Sequence, residues 1–266
     1  MNSTKIITSA FAFASLFILP CQGALTLLYS TNFNTPTYSD GALLGQEAWT
    51  ITGSSVVSPL TVANATAGNG NVSTATTGQD AFRAFPSVNS GSVYFSASIN
   101  VQTAQTGDYL LHLGDTATPN GFFSRLYVKA GTTGYVLGMT TGSASAITGP
   151  PAVPAVNVNY GTVELSLNQA YSVLLRFDFV PGLANDTGSL FVGPTSADGS
   201  LDTPYIAATY AGTDATAIST VNIRQGGSTS SPTAIVDNLS ISASVPEVST
   251  LAMALLSCIG LLRRRR

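Results

Sequence analysis

In residues 93–101 apolar side chains take every second position: Val93, Phe95, Ala97, Ile99 and Val101, with Tyr94, Ser96, Ser98 and Asn100 between them. A two-residue period turns the first set to one face of a β-strand and the second to the other. In residues 171–180, Val173, Leu175, Phe177 and Phe179 alternate with Ser172, Leu174, Arg176 and Asp178, which predicts a second half-buried strand. Similar stretches rich in Val, Ile, Tyr, Phe and Thr predict strands at 25–33, 48–57, 109–114, 122–130, 134–140, 162–167, 188–192, 204–210, 219–224 and 234–242. Gly, Asn, Asp, Ser and Pro clusters separate them, and no segment sustains an apolar period of three to four residues. The pattern predicts an all-β chain, and about a dozen short strands fit two packed antiparallel sheets. The Gly/Asn/Thr-rich stretch 63–80 and the proline-bearing stretch 141–159 are expected to be surface excursions.

The two ends break this texture. Lys5 precedes an apolar stretch at 6–19, then Pro20 and the small residues Cys21, Gly23 and Ala24, the layout of a secretory signal peptide. At the other end Val245-Pro246-Glu247-Val248-Ser249-Thr250 leads into an uncharged apolar run at 251–262 and then Arg263, Arg264, Arg265 and Arg266. A permanent helical span needs roughly 20 apolar residues, so this run is short. Clustered arginines beside it stay on the cytoplasmic side. Polar motif, short hydrophobic helix and basic cluster together closely resemble the PEP-CTERM sorting signal of Gram-negative bacteria. That family's Pro-Glu-Pro has Val248 in place of its second proline here. The resemblance implies a sorting motif at Val245, Pro246 and Glu247, and an exosortase as processing partner after the secretion translocon. It also implies a precursor tethered in the inner membrane and a final place at the cell surface or in the extracellular matrix. The expected organisation is signal peptide 1–23, β-sandwich domain 24–244 and sorting signal 245–266.

Separating the ends changes the composition. Cys21 and Cys258 both fall in them, so the body carries no thiol and no disulfide. Between residues 24 and 244 five basic side chains (Arg83, Arg125, Lys129, Arg176 and Arg224) face twelve acidic ones, a net of −7. That balance argues against nucleic acid as a partner. The body resembles the concanavalin A-like or laminin G-like jelly rolls. The blocks that carry the likeness are Tyr38-Ser39-Asp40-Gly41, Gly45-Gln46, Trp49, Arg176-Phe177-Asp178-Phe179, Gly188-Ser189-Leu190-Phe191-Val192 and Asp237-Asn238-Leu239. The likeness implies a two-sheet antiparallel jelly-roll sandwich and no particular activity.

No local catalytic signature is present. The body's glutamates, Glu47 and Glu164, have no acid two residues on, so the paired-carboxylate motif of laminarinase-type glucanases is missing. His112, the one histidine of the chain, excludes a multi-histidine metal site. The body therefore reads as non-enzymatic, although carboxylates from separate strands could still converge. Counting by twos along the last strand groups Asp237 with Ile235, Leu239 and Ile241, an inward set where a carboxylate needs a partner. A structural calcium ion, helped by Asp115, Asp186, Asp198 or Asp202, is one candidate; loop N–H groups or an arginine are the other. No other cofactor is expected. Trp49 beside Tyr38, Tyr135 or Tyr160 would form a lectin-like sugar platform if exposed, while core packing is the usual fate of a strand tryptophan. The expected role is structural or interaction work at the cell surface, with extracellular polysaccharide as a candidate partner. A glycan-binding module is the first alternative, and a carbohydrate-active enzyme the second.

Overall fold

The computed structural model describes residues 24–52, 58–115, 121–142, 158–209, 214–226 and 230–244. The predicted signal peptide, the motif Val245-Pro246-Glu247 and the cluster Arg263 to Arg266 lie outside the described residues, as does most of 141–159. Residues 24–246 form one compact unit.

Two antiparallel sheets make up the body. The nine-stranded sheet centres on β7 (Gly91–Thr103), flanked by β12 (Ala170–Phe179), β13 (Thr187–Val192) and β14 (Ile206–Thr209) on one side. On the other side come β16 (Thr233–Ser244), β5 (Asn71–Ser73), β4 (Thr61–Ala63) and β2 (Gly41–Ala42), while β1 (Thr26–Thr31) also pairs with β16. The seven-stranded sheet runs in the order β11 (Asn159–Tyr160), β10 (Tyr135–Thr140), β9 (Phe122–Ala130), β8 (Asp108–Gly114), β15 (Ile218–Ile223), β6 (Ala81–Val88) and β3 (Thr50–Ile51).

The alternation expected in β7 and β12 is present. Val93, Phe95, Ala97, Ile99 and Val101 lie in the main core with Val173, Leu175 and Phe177. From the facing sheet come Leu111, Leu113, Leu126, Val128, Val221 and Ile223. Phe123 meets Phe177 edge-on at 5.8 Å between ring centroids, a direct contact across the sandwich.

Trp49 is 1 % exposed and Tyr38 3 %, so Trp49 packs in the core and the sugar platform that depended on its exposure does not form. The Trp49 ring packs near Phe33, and its Nε1 donates to the Tyr38 hydroxyl at 3.0 Å. The Tyr38 hydroxyl in turn donates to Glu47, which also accepts the Tyr29 hydroxyl at 2.9 Å. Glu47 and Ala48 both sit in the left-handed region, at φ 43 and 59, and this tight turn aims the carboxylate back at the two phenols. Tyr135 is fully buried in the core as well.

Other expectations are corrected. Residues 63–80 are not a plain surface excursion: β4 and β5 extend the nine-stranded sheet, with Val62 and Val72 buried. Residues 162–167 form no strand; Leu165 makes one isolated bridge to Tyr135, and the edge strand is β11 instead. Strand β6 was not anticipated, because Arg83 and Pro86 interrupt its apolar positions.

The largest correction concerns β16. Ala234 and Val236 point into the core, and so do Leu239, Ile241 and Ala243, which no strict two-residue count can deliver. The ladder to β7 shifts register between Asp237 and Ser240, and Asn238 stands at φ 49. This β-bulge inserts one residue and exchanges the faces. It also marks a fork, since β16 pairs with β5 at Ile235 and Val236 and with β1 from Leu239 onward. Asp237 is consequently turned away from the inward set, and its carboxylate accepts from the backbone N–H and Nδ2 of Asn238 at 2.6 and 3.1 Å.

Deleting Asn238 leaves Ala234, Val236, Leu239 and Ile241 on one face. Inserting a second residue after Asn238 instead shifts the count by one and should throw Leu239 and Ile241 outward, exposing about 2 kcal/mol of burial for each side chain. Loss of a cooperative thermal transition by circular dichroism is expected. Asn238→Gly, which keeps the positive φ, should melt within about 4 °C of the parent. An insertion variant that melts near the parent would contradict the bulge as the element that sets register.

Candidate functional site

The side of the seven-stranded sheet turned away from the core carries a polar and aromatic surface. Three adjacent strands, β8, β9 and β10, supply most of it, and two irregularities bring it together. In β8 the ladder to β9 shifts between Tyr109 and Leu111, so Leu110 and Leu111 both enter the core while Tyr109 and His112 share the outer face. In β9 Ser124 sits at φ 43. Phe123 and Leu126 therefore face inward, and Arg125, Tyr127 and Lys129 face outward opposite Thr140, Gly138 and Val136 of β10.

The rings form a continuous set. Tyr109 lies 5.5 Å from His112 and 5.6 Å from Tyr127, and His112 meets Phe122 edge-on at 4.8 Å. The Arg224 guanidinium stacks over Tyr109 at 4.1 Å, and Arg125 sits 5.5 and 5.8 Å from the Tyr109 and Tyr127 rings. Farther along, the ammonium of Lys129 lies 5.2 Å from the ring of Tyr160. Tyr160 lies over Gly138, where an added Cβ would come within 2.6 Å of its ring. Gly138 thus leaves the space that Tyr160 fills. Of the four aromatics weighed for a sugar platform, Tyr160 alone reaches this face half-buried.

The floor is deeply buried: His112, Arg125, Tyr127, Thr140, Thr220 and Asn222 are each 4 % exposed or less. Tyr109, Phe122, Lys129, Tyr160 and Arg224 are half-buried and form a rim. Burial holds His112 neutral, lowering its pKa from 6.5 to about 3, with Arg125 and Arg224 adding to the effect. Its Nδ1 donates to the Leu113 carbonyl at 3.2 Å. Desolvation likewise raises the phenols of Tyr109 and Tyr127. Asp108 accepts from Ser231 at 2.6 Å and lies 2.5 Å from Arg224 Nη1, an ion-pair contact not angled as a hydrogen bond. Asp80 accepts the Gln225 N–H and stands 3.7 Å from Arg224 Nε; burial raises its carboxyl above the usual range.

Several buried polar atoms on this face have no hydrogen-bond partner: Arg125 Nη2, Asn222 Oδ1 and the Tyr127 hydroxyl. Thr140 lies close to that hydroxyl but without hydrogen-bond geometry. Asn222 uses its Nδ2 on the His112 carbonyl and on Thr220 Oγ1, at 3.4 and 3.2 Å. Buried polar groups in folded proteins are almost always partnered, so several orphans gathered on one face make it the candidate site.

The acidic residues weighed for calcium do other work. Asp115 accepts from Gly121 N–H, and Asp186 accepts from Val180 and Ala215 N–H. Asp198 accepts from Ser200, and Asp202 from Thr195 and Ser196. Among the described residues no three His, Cys, Asp or Glu side chains gather to hold a metal ion. Glu164 accepts the N–H groups of Thr132, Thr133 and Gly134, which pull its pKa down to about 2 and clamp the β9–β10 turn. Sequence reading missed Arg125, Tyr127, Phe122 and Asn222 altogether, because the strand irregularities that gather them leave no motif.

No protein-family profile matches the chain, and no curated protein matches it. Among solved structures it is similar to the CBM2 module of the evolved Dit of Lactobacillus casei BL23 phage J-1, at 12 % identity and TM-score 0.48, over 84 % of this chain and 97 % of that one. It is also similar to the carbohydrate-binding module CBM66 from Bacillus subtilis, at 12 % identity and TM-score 0.39, over 73 % of this chain and 95 % of that one. A third is alginate lyase vAL-1 from Chlorella virus, at 11 % identity and TM-score 0.46, over 77 % and 98 %. Likeness at this level carries no inference about what this chain does.

His112 gives a pH test. Below its ordinary pKa of 6.5 the unfolded chain takes up a proton that the folded protein refuses until about pH 3. Stability should therefore fall as pH drops through that window, by about 1 kcal/mol per pH unit. Urea melts of His112→Asn should show a shallower loss between pH 6.5 and 4 than the parent; identical slopes would mean the imidazole titrates freely.

Proposed function

We propose that this protein is an exported, non-catalytic β-sandwich that works at the cell surface or in the extracellular matrix and binds extracellular saccharide through the outer face of its seven-stranded sheet. The observation that carries the reading is the composition of that face. A sheet serving only as a wall would present short hydroxyls or a plain apolar layer. This face presents aromatic rings beside buried hydrogen-bonding atoms that lack partners. Rings stack on the apolar faces of sugars, and fixed polar groups select hydroxyl patterns.

Catalysis is the weaker reading. Asp80 and Asp108 are each engaged by Arg224 and by a second donor. His112 is neutral, and its Nδ1 is tied to a backbone carbonyl. Export and sorting rest on the sequence of the two ends and on the resemblance they carry.

Two measurements test the two halves of the proposal. On a glycan array, the full chain in mild detergent should show saturable binding that Tyr109→Leu weakens by about tenfold, or ~1.4 kcal/mol. Absence of saturable binding would leave a purely structural role. Intact-mass analysis in a host with and without an exosortase should show loss of everything beyond the Pro246-Glu247 region only when the enzyme is present. Retention of Arg263 to Arg266 in both hosts would mean a plain membrane tail.

A further inference from the structure

Arg125 is the most costly residue of the outer face. The residue is 2 % exposed, its Nε donates to Thr140 Oγ1 at 3.2 Å, and its Nη2 has no partner. The ion pairs of the described residues join Arg176 to Asp178 and Arg224 to Asp80 and Asp108, and none reaches Arg125. The Tyr109 and Tyr127 rings offer cation–π attraction. Removing an ion from water costs more than such ring contacts return, so the rings alone do not offset it. Arg224 nearby adds no negative charge, and neutral His112 adds none either. Asp80 and Asp108 are taken up by Arg224, and Arg125 is left without an anionic partner.

Asn222 narrows the chemistry. Its Oδ1 is a buried acceptor without a donor, while its Nδ2 is already used on His112 and Thr220. It stands opposite His112 on the β8–β15 ladder, and His112 feels the charge of Arg125 from the other side. A bare carboxylate or phosphate would satisfy Arg125 and leave Asn222 Oδ1 without a proton, because ionised oxygens only accept. A single partner that meets both groups carries a negative charge and also donates a hydroxyl. Tyr109, under the Arg125 guanidinium, and Phe122, edge-on to His112, are half-buried and add ring faces suited to a sugar.

The geometry points to an acidic saccharide as the ligand class, one whose sugar carboxylate docks on the Arg125 guanidinium while a ring hydroxyl donates to Asn222 Oδ1. This rests on the saccharide-binding reading above and narrows it. The planar fork of arginine matches a carboxylate through paired N–H donors. Asn222 sets which hydroxyl neighbours that carboxylate, and the Tyr109 and Phe122 rings flank the pyranose.

The probe is tetragalacturonate, compared by calorimetry with its methyl ester, which keeps the rings and removes the charge. The full chain in mild detergent should bind the acid at least about tenfold more tightly than the ester. Arg125→Met should abolish that preference, and without ligand it should melt no lower than the parent, because the variant removes a buried unpaired charge. Arg125→Lys, which keeps the charge and loses the fork, should retain part of the preference. Equal affinity for acid and ester would overturn the acidic class and leave saccharide binding standing. Binding of neither would overturn both. A marked fall in melting temperature in Arg125→Met with the preference intact would make the guanidinium a structural strut.

Discussion

A β-strand turns successive side chains to opposite faces, and this protein depends on where that alternation holds and where one extra residue breaks it. In β12 and in β7 from Val93 to Val101 it holds, and the inner layer of the nine-stranded sheet follows from it. In β8, β9 and β16 it is broken at Leu110, Ser124 and Asn238. Each break is a local cost in ladder hydrogen bonds or in a left-handed backbone. Each also exchanges the faces of everything beyond it, so both the core and the outer surface are set by these few residues.

The seven-stranded sheet is consequently loaded on both sides. Leucines, valines and Phe123 on its inner side close the sandwich against Phe177 and its neighbours. On the outer side the same strands carry charge, rings and amides at burial levels usual for a core. Such a layer opposes folding unless its polar atoms are partnered. Most of them are, through the Asp108–Arg224–Asp80 group and the Tyr109 stack, and those left over fall around Arg125 and Asn222. The stability the face forgoes there is the observation on which the proposed recognition surface rests. The Tyr29–Tyr38–Glu47–Trp49 network works differently: it joins its polar atoms to one another and packs the tryptophan as structure.

Periodicity in the sequence was enough for the all-β class, for the inward sets of β7 and β12, and for most strand positions. It failed wherever a rule of two met an extra residue. Asp237 was placed inward because the count from Ile241 crosses Asn238 unbroken. Trp49 was weighed as a platform because its Nε1 partner, Tyr38, is eleven residues away on the far side of a left-handed turn. The outer-face cluster had no signature, since Tyr109, Arg125 and Asn222 come from three strands joined only by pairing. Strand β6 was hidden by Arg83, which packs over the Tyr29 ring, and by Pro86.

Hydrogen-exchange mass spectrometry of the full chain, with and without an acidic oligosaccharide, is the most direct test of the proposed recognition face. Ligand-dependent protection should concentrate in peptides covering residues 108–114, 122–130, 135–140 and 218–226, with the nine-stranded sheet unchanged. Protection centred instead on β12, β13 and β14, or spread evenly over both sheets, would contradict the assignment of recognition to the outer face of the seven-stranded sheet.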